Sequence, residues 1–225
     1  MNTRKRRREM KKIKLGIGAA VMIAAMIISD RADIFLIYAL SALLHELGHI
    51  TAAKLMKIEI KEIKFDFSGV RICTDARLTS YKKELVLAAA GPLVNFAVIM
   101  IILTCFKMDG ASAYEVTESI NEFWENGSFT TYGVAGFLAL CSILQGGINL
   151  LPVNTFDGGR ILYCGIAQTC GERAASRVIS VSSAGAAFVL WTVSLYLMLK
   201  ISAGLGIYVF AACIFFTTLK GTEWE

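Results

Sequence analysis

The chain contains two histidines, and both lie in His45-Glu46-Leu47-Gly48-His49. Four residues apart, they share a helix face and can turn their imidazoles on one ion. Glu46, about 100° round from His45, can reach a water on that ion without ligating it. Two imidazoles plus one carboxylate suit a catalytic zinc that keeps its fourth position for water. Two randomly placed histidines take this spacing in about 1% of cases, and requiring the Glu brings chance to roughly one in two thousand. The bland alternative, a pair of satisfied core histidines, is poor inside an apolar helix, where ionisable groups are costly and usually functional.

The elements that must carry these residues are membrane spans. Of 225 residues 56% are hydrophobic and only 18% charged, where a soluble domain carries about a quarter charged residues. The mean hydropathy is +0.59. Nearly all the charge sits in a few short stretches, which excludes a soluble globular enzyme, a disordered regulator and a nucleic-acid-binding domain despite the net charge of +5. A bilayer needs about 20 apolar residues per helix. The segments expected to cross are 13–29, 34–56, 85–106, 132–170 interrupted at 149–158, 178–199 and 201–219. The fold expected is therefore an all-α polytopic membrane protein with six transmembrane helices.

Lysine and arginine orient it. They crowd before the first span, between the second and third, and before the fifth, while the loop from Lys107 to Thr131 is acidic. Both termini are expected in the cytoplasm, with residues 1–12 a basic tail that touches anionic lipid. Residues 13–225 form one membrane domain with no appended module, and the first span reads as a retained helix rather than a signal peptide. The six cysteines show no CxxC spacing and behave as small hydrophobes, so neither disulfides nor a cysteine zinc site is expected. In the loop after the second span, Ile60 to Phe67 includes a strand-like alternation, Gly69 permits a turn, and Val70 to Cys73 can return. A small β-hairpin with an open edge fits there.

Elimination narrows the third ligand. Every acidic residue except Glu46 and Asp157 falls in loops or tails that the spans place in water. Asp157 follows Asn149-Leu-Leu-Pro152-Val-Asn154-Thr-Phe, and Pro152 removes a helical donor and disfavours helix before it. Such a break at membrane depth is tolerated only where it faces protein or a wet cavity. The other proline, Pro92, lies in Ala90-Gly91-Pro92-Leu93-Val94-Asn95, which on its own reads as a kink with close helix packing.

Together, His45-Glu46-x-x-His49, Gly91-Pro92-Leu93-Val94-Asn95 and Asn149-x-x-Pro152-x-x-x-x-Asp157-Gly158 resemble the site-2 protease family of intramembrane zinc metalloproteases, in a minimal form without PDZ or CBS domain. The resemblance covers about residues 34 to 170. It implies one Zn2+ per chain on His45, His49 and Asp157, with Glu46 as catalytic acid/base. It further implies Asn149 and Asn95 as substrate-binding or oxyanion residues near the reaction centre, and an edge strand carrying Ile63, Phe65 and Phe67 that pairs with an unwound substrate helix. The substrate would be a transmembrane protein in the bilayer, such as a transcription-factor precursor, an anti-sigma factor or a pro-sigma factor. The location would be a prokaryotic plasma membrane, and any inhibitory partner is unspecified. A zinc-binding carrier or scaffold without hydrolysis is the competing reading, as is another His-Glu-x-x-His membrane enzyme. A carrier would be expected to offer ligands at several depths, and the Asp157 loop favours the site-2 branch.

Overall fold

The computed structural model describes residues 13–15, 32–58, 60–66, 69–74 and 80–201, together with 211, 212, 215 and 218. Among the described residues up to 201, six helices follow one another: α1 (Ala32–Leu55), α2 (Tyr81–Met108), α3 (Ala113–Asn126), α4 (Thr131–Asn149), α5 (Asp157–Cys170) and α6 (Glu172–Ile201). Among the described residues α1, α2, α4 and α6 are long and apolar enough to cross a membrane. The chain is a multi-pass membrane protein. The expected spans at 13–29 and 201–219 fall mostly outside the described residues. Of their parts that are described, Ile13–Leu15 is strand rather than helix, and 211, 212, 215 and 218 are helical.

Three short strands make one sheet in the order β1 (Ile13–Leu15), β2 (Ile60–Asp66), β3 (Gly69–Thr74). β2 and β3 pair antiparallel, with Phe65 opposite Val70 and Ile63 opposite Ile72. β1 lies parallel to β2, with Ile13 against Ile63 and Leu15 against Phe65. The sequence reading put an open edge at Ile63 to Phe67. Instead β2 is the middle strand, because a segment from the chain's beginning takes its second side, and local alternation cannot reveal a partner about 50 residues upstream. Phe67 lies outside the described residues.

Helix α2 is the hub, with α1, α4 and α5 all packed on it. In lipid, helices gain little from burying apolar surface, so small residues that let backbones approach matter more. Gly48 shows this: a Cβ there would lie 2.5 Å from the Ala90 carbonyl oxygen. Ala52 and Ala53, one turn on, bury against Leu87. The large apolar side chains of α1 and α2 that remain exposed, Leu36, Leu40, Leu43 and Leu47 with Leu93, Phe96 and Met100, face where acyl chains would lie. Pro92 is accommodated inside α2, which runs on for 28 residues.

The acidic loop between the second and third long helices is itself a helix, which the sequence reading missed. The signal was present in Ser112-x-x-Glu115. Glu115 N–H donates to Ser112 Oγ at 3.2 Å, and the Ser112 N–H donates back to the Glu115 carboxylate at 2.8 Å. Those bonds, backbone first and hydroxyl second, hold the Glu115 carboxyl below its ordinary range. The apolar side of α3 sits on α4, where a Cβ at Gly136 would meet Ile120 at 2.6 Å. Phe123 is completely buried there with Phe137, Cys141 and Ile37.

Candidate metal centre

Helix α1 offers His45 and His49 on its buried side, 2% and 6% exposed. Asp157 comes from the first turn of α5, at a helix N-terminus that favours a carboxylate. That terminus exists because the backbone breaks after Asn149 and folds back on itself. The gap where a side chain would be at Gly158 is filled by the Leu150 and Leu151 backbone, and at Gly159 by that of Val153. Irregular backbone at membrane depth needs partners, and α6 supplies them. Asn154 N–H donates to Ser183 Oγ at 2.8 Å, while the Ser182 and Ser183 hydroxyls donate to the Pro152 carbonyl at 3.3 and 3.4 Å. Those two serines went unnoticed in the sequence, where they look like tolerated polar residues in an apolar span.

His45 Nε2, His49 Nε2 and Asp157 Oδ2 stand 3.1 Å from one another, an equilateral triangle of donors. A tetrahedral zinc with bonds of 2.0–2.1 Å needs ligand atoms about 3.3 Å apart. The residues therefore fit the ion the sequence implies, and this is the one such cluster among the described residues. The space is kept clear by Gly91 of α2, where a Cβ would lie 2.6 Å from His45 Nε2 and nearer still to His49 Nε2. The Gly-Pro element is thus close packing of a special kind, against both imidazole rings at once.

His49 Nδ1 meets the Leu87 carbonyl at 2.7 Å. A carbonyl can only accept, so this nitrogen carries the proton and Nε2 presents its lone pair to the centre. Asn95, fully buried, places its amide 3.3 Å from His45 Nδ1. Asn149 directs Nδ2 to within 3.4 Å of His45 Nε2, at the rim of the donor triangle. Glu46 does not join the triangle. Its Oε2 is buried and, among the described residues, has no hydrogen-bond partner, within Coulombic range of His49, Asp157 and Arg160.

Further contacts tie the surrounding helices together and were not foreseen. Arg160, one turn after Asp157, donates to Glu84 at the start of α2 at 2.7 Å, both side chains being partly buried. Tyr81 of α2 donates to Glu172 of α6. Above the triangle, Ser41 donates to Gln145 Oε1 at 2.9 Å and lies 3.2 Å from Ser142, tying α1 to α4. Of the expected substrate-contacting residues, Asn149 and Asn95 gather at the triangle. Ile63 and Phe65 lie in the sheet.

Comparison with known proteins bears on what this arrangement is. The profile of Peptidase family M50 matches residues 34–193. Zinc metalloprotease MJ0392 of Methanocaldococcus jannaschii is 28% identical over 150 residues, 65% of this chain and 38% of that protein. The chain thus spans well under half the length of this curated relative. The solved structure of the site-2 protease from Methanocaldococcus jannaschii superposes with a TM-score of 0.59 at 22% identity, over 96% of this chain and 95% of that one. At that identity the likeness speaks for the fold.

Proposed function

The chain belongs to Peptidase family M50, and from that premise we propose that it is an intramembrane zinc metalloprotease that hydrolyses a peptide bond within or beside a transmembrane segment of a membrane-bound substrate. Its cofactor is Zn2+, one ion per chain, held by His45 Nε2, His49 Nε2 and a carboxylate oxygen of Asp157. Bound there, zinc supplies Lewis acidity toward the scissile carbonyl and acidifies water. Glu46 Oε2, with no protein partner to compete, takes the proton of the attacking water and returns it to the leaving nitrogen. Asn149 Nδ2 donates to the carbonyl oxygen as charge develops on it.

The full arrangement has six spans and cytoplasmic termini. His49 lies six residues before the end of α1, so the centre sits about 9 Å inside the surface that bears Leu55, and water enters from there. A substrate helix must unwind before its amides can be attacked, and pairing with the sheet replaces its lost hydrogen bonds. Ile63 and Phe65 of β2, with Phe67 next in sequence, remain the residues for that pairing, which requires the three-residue β1 to yield its place. The role is regulated intramembrane proteolysis, of a transcription-factor precursor, anti-sigma factor or pro-sigma factor.

The closed donor triangle beside an unpartnered Glu46 Oε2 carries this reading. To test it, wild type and Glu46→Gln are each co-expressed in a bacterial membrane with tagged single-span segments of varied sequence. Shortened products with wild type alone, both proteins holding equal zinc, is the expected outcome. Products formed equally by the two proteins would rule the mechanism out, and no product from any segment would return the chain to the non-hydrolytic reading.

A further inference from the structure

Ligation through Nε2 leaves a proton on Nδ1, and a buried N–H needs an acceptor. For His49 that acceptor is the Leu87 carbonyl. Two turns along the same face of α2, the Asn95 side chain meets His45 Nδ1 at 3.3 Å. Asn95 is completely buried, and among the described residues its Oδ1 takes no hydrogen bond. Nothing therefore fixes the amide with its NH2 toward the ring, and a half-turn about the Cβ–Cγ bond sets Oδ1 there instead. Gly146 leaves room behind it, since a Cβ at that position would already stand 3.4 Å from Asn95 Cβ.

We infer that Asn95 is a positioning residue of the metal centre: its amide oxygen accepts the Nδ1 proton of His45, which holds that ring with Nε2 turned to the metal. Leu87, Gly91 and Asn95, spaced by four on α2, then act as one device. The outer two hold the rings and the middle one clears space for their tips. This replaces the substrate-contacting role that the sequence suggested for Asn95, and it rests on the zinc centre proposed above. Partners of this kind on ligating histidines change metal affinity by about 10- to 100-fold when removed.

The test is zinc affinity of the detergent-purified chain, measured against a competing chelator, for wild type, Asn95→Leu and Asn95→Asp. The visible bands of the Co2+-loaded proteins report ligand geometry independently of turnover. Asn95→Leu keeps the size but cannot accept, and should bind zinc about 10- to 100-fold more weakly, with altered Co2+ bands. Asn95→Asp keeps the acceptor and should bind as wild type or more tightly. Thermal unfolding of both variants shows whether the fold is intact. If Asn95→Leu holds zinc like wild type, or if both variants weaken it alike, the inference is overturned. A wild type that holds zinc yet cleaves nothing overturns the protease reading alone, whereas a wild type that holds no zinc overturns both.

Discussion

Replacing Gly91 by alanine probes the geometry of the centre most directly. The added Cβ would stand 2.6 Å from His45 Nε2 and 2.7 Å from its Cε1, with His49 Nε2 closer still. Unbonded heavy atoms are at ease at about 3.5–4.0 Å, so both rings would have to retreat by about 1 Å. Neither is free to do so, because one Nδ1 is tied to the Leu87 carbonyl and the other faces Asn95. A metal site tolerates ligand displacements of only about 0.2 Å. Overpacking a filled site costs about 1–3 kcal/mol, and each 1.4 kcal/mol is tenfold in affinity, so zinc binding should weaken by about 10- to 100-fold. Helix propensity acts in the opposite direction, since alanine in a helix interior gains about 1 kcal/mol over glycine. The expected product is a well-folded, zinc-poor protein, detected by chelator competition alongside thermal unfolding. Gly147→Ala is the control: among the described residues no atom lies within 4 Å of its new Cβ, and it should hold zinc as wild type does. A Gly91→Ala protein that binds zinc within about threefold of wild type would refute the reasoning.

Asp157→Ala should lose most or all of its zinc by elemental analysis, and a variant that keeps the metal would mean that another group closes the site. Glu84→Gln leaves the Arg160 guanidinium without its carboxylate and should lower the unfolding free energy by about 1.5–3 kcal/mol. If Glu84→Gln and Arg160→Gln combine additively in a double-mutant cycle, that pairing contributes nothing. Phe123→Ala empties a completely buried position between α3 and α4 and should cost about 3–5 kcal/mol in denaturant unfolding. Its zinc affinity should not change, because the cavity lies near the far end of α1 and α4; a parallel loss of zinc would contradict that separation.

The donor set was legible because its chemistry is written in residue identity. His45, Glu46 and His49 announce themselves by spacing, and Asp157 by being an acid that the apolar pattern could not place in water. The four long helices were legible for a related reason, since a bilayer demands continuous apolar length whatever the packing. What stayed hidden depends on contacts between segments far apart in the chain. Gly91 reads as a kink until two rings are found against it, and nothing in the sequence ties Arg160 to Glu84, 76 residues upstream. The strand Ile60–Asp66 alternates as an edge strand would, and only the arrival of Ile13–Leu15 makes it central. Helix α3 is a different case. Its capping box was visible, but a short acidic stretch between two spans invites the assumption of a loop.

The two halves of the donor set belong to helices that barely touch each other. Helix α1 packs on α2 and α4, and α5 on α2 and α6, so His49 and Asp157, 108 residues apart in sequence, converge only through α2. No fragment that stops short of α5 therefore owns a site. An inserted α1 has the imidazoles but not the Asp157 carboxylate, and until α2 docks it lacks the Leu87 carbonyl that meets His49 Nδ1. If the chain is the protease proposed above, competence to cut would arrive only once α5 has docked on α2.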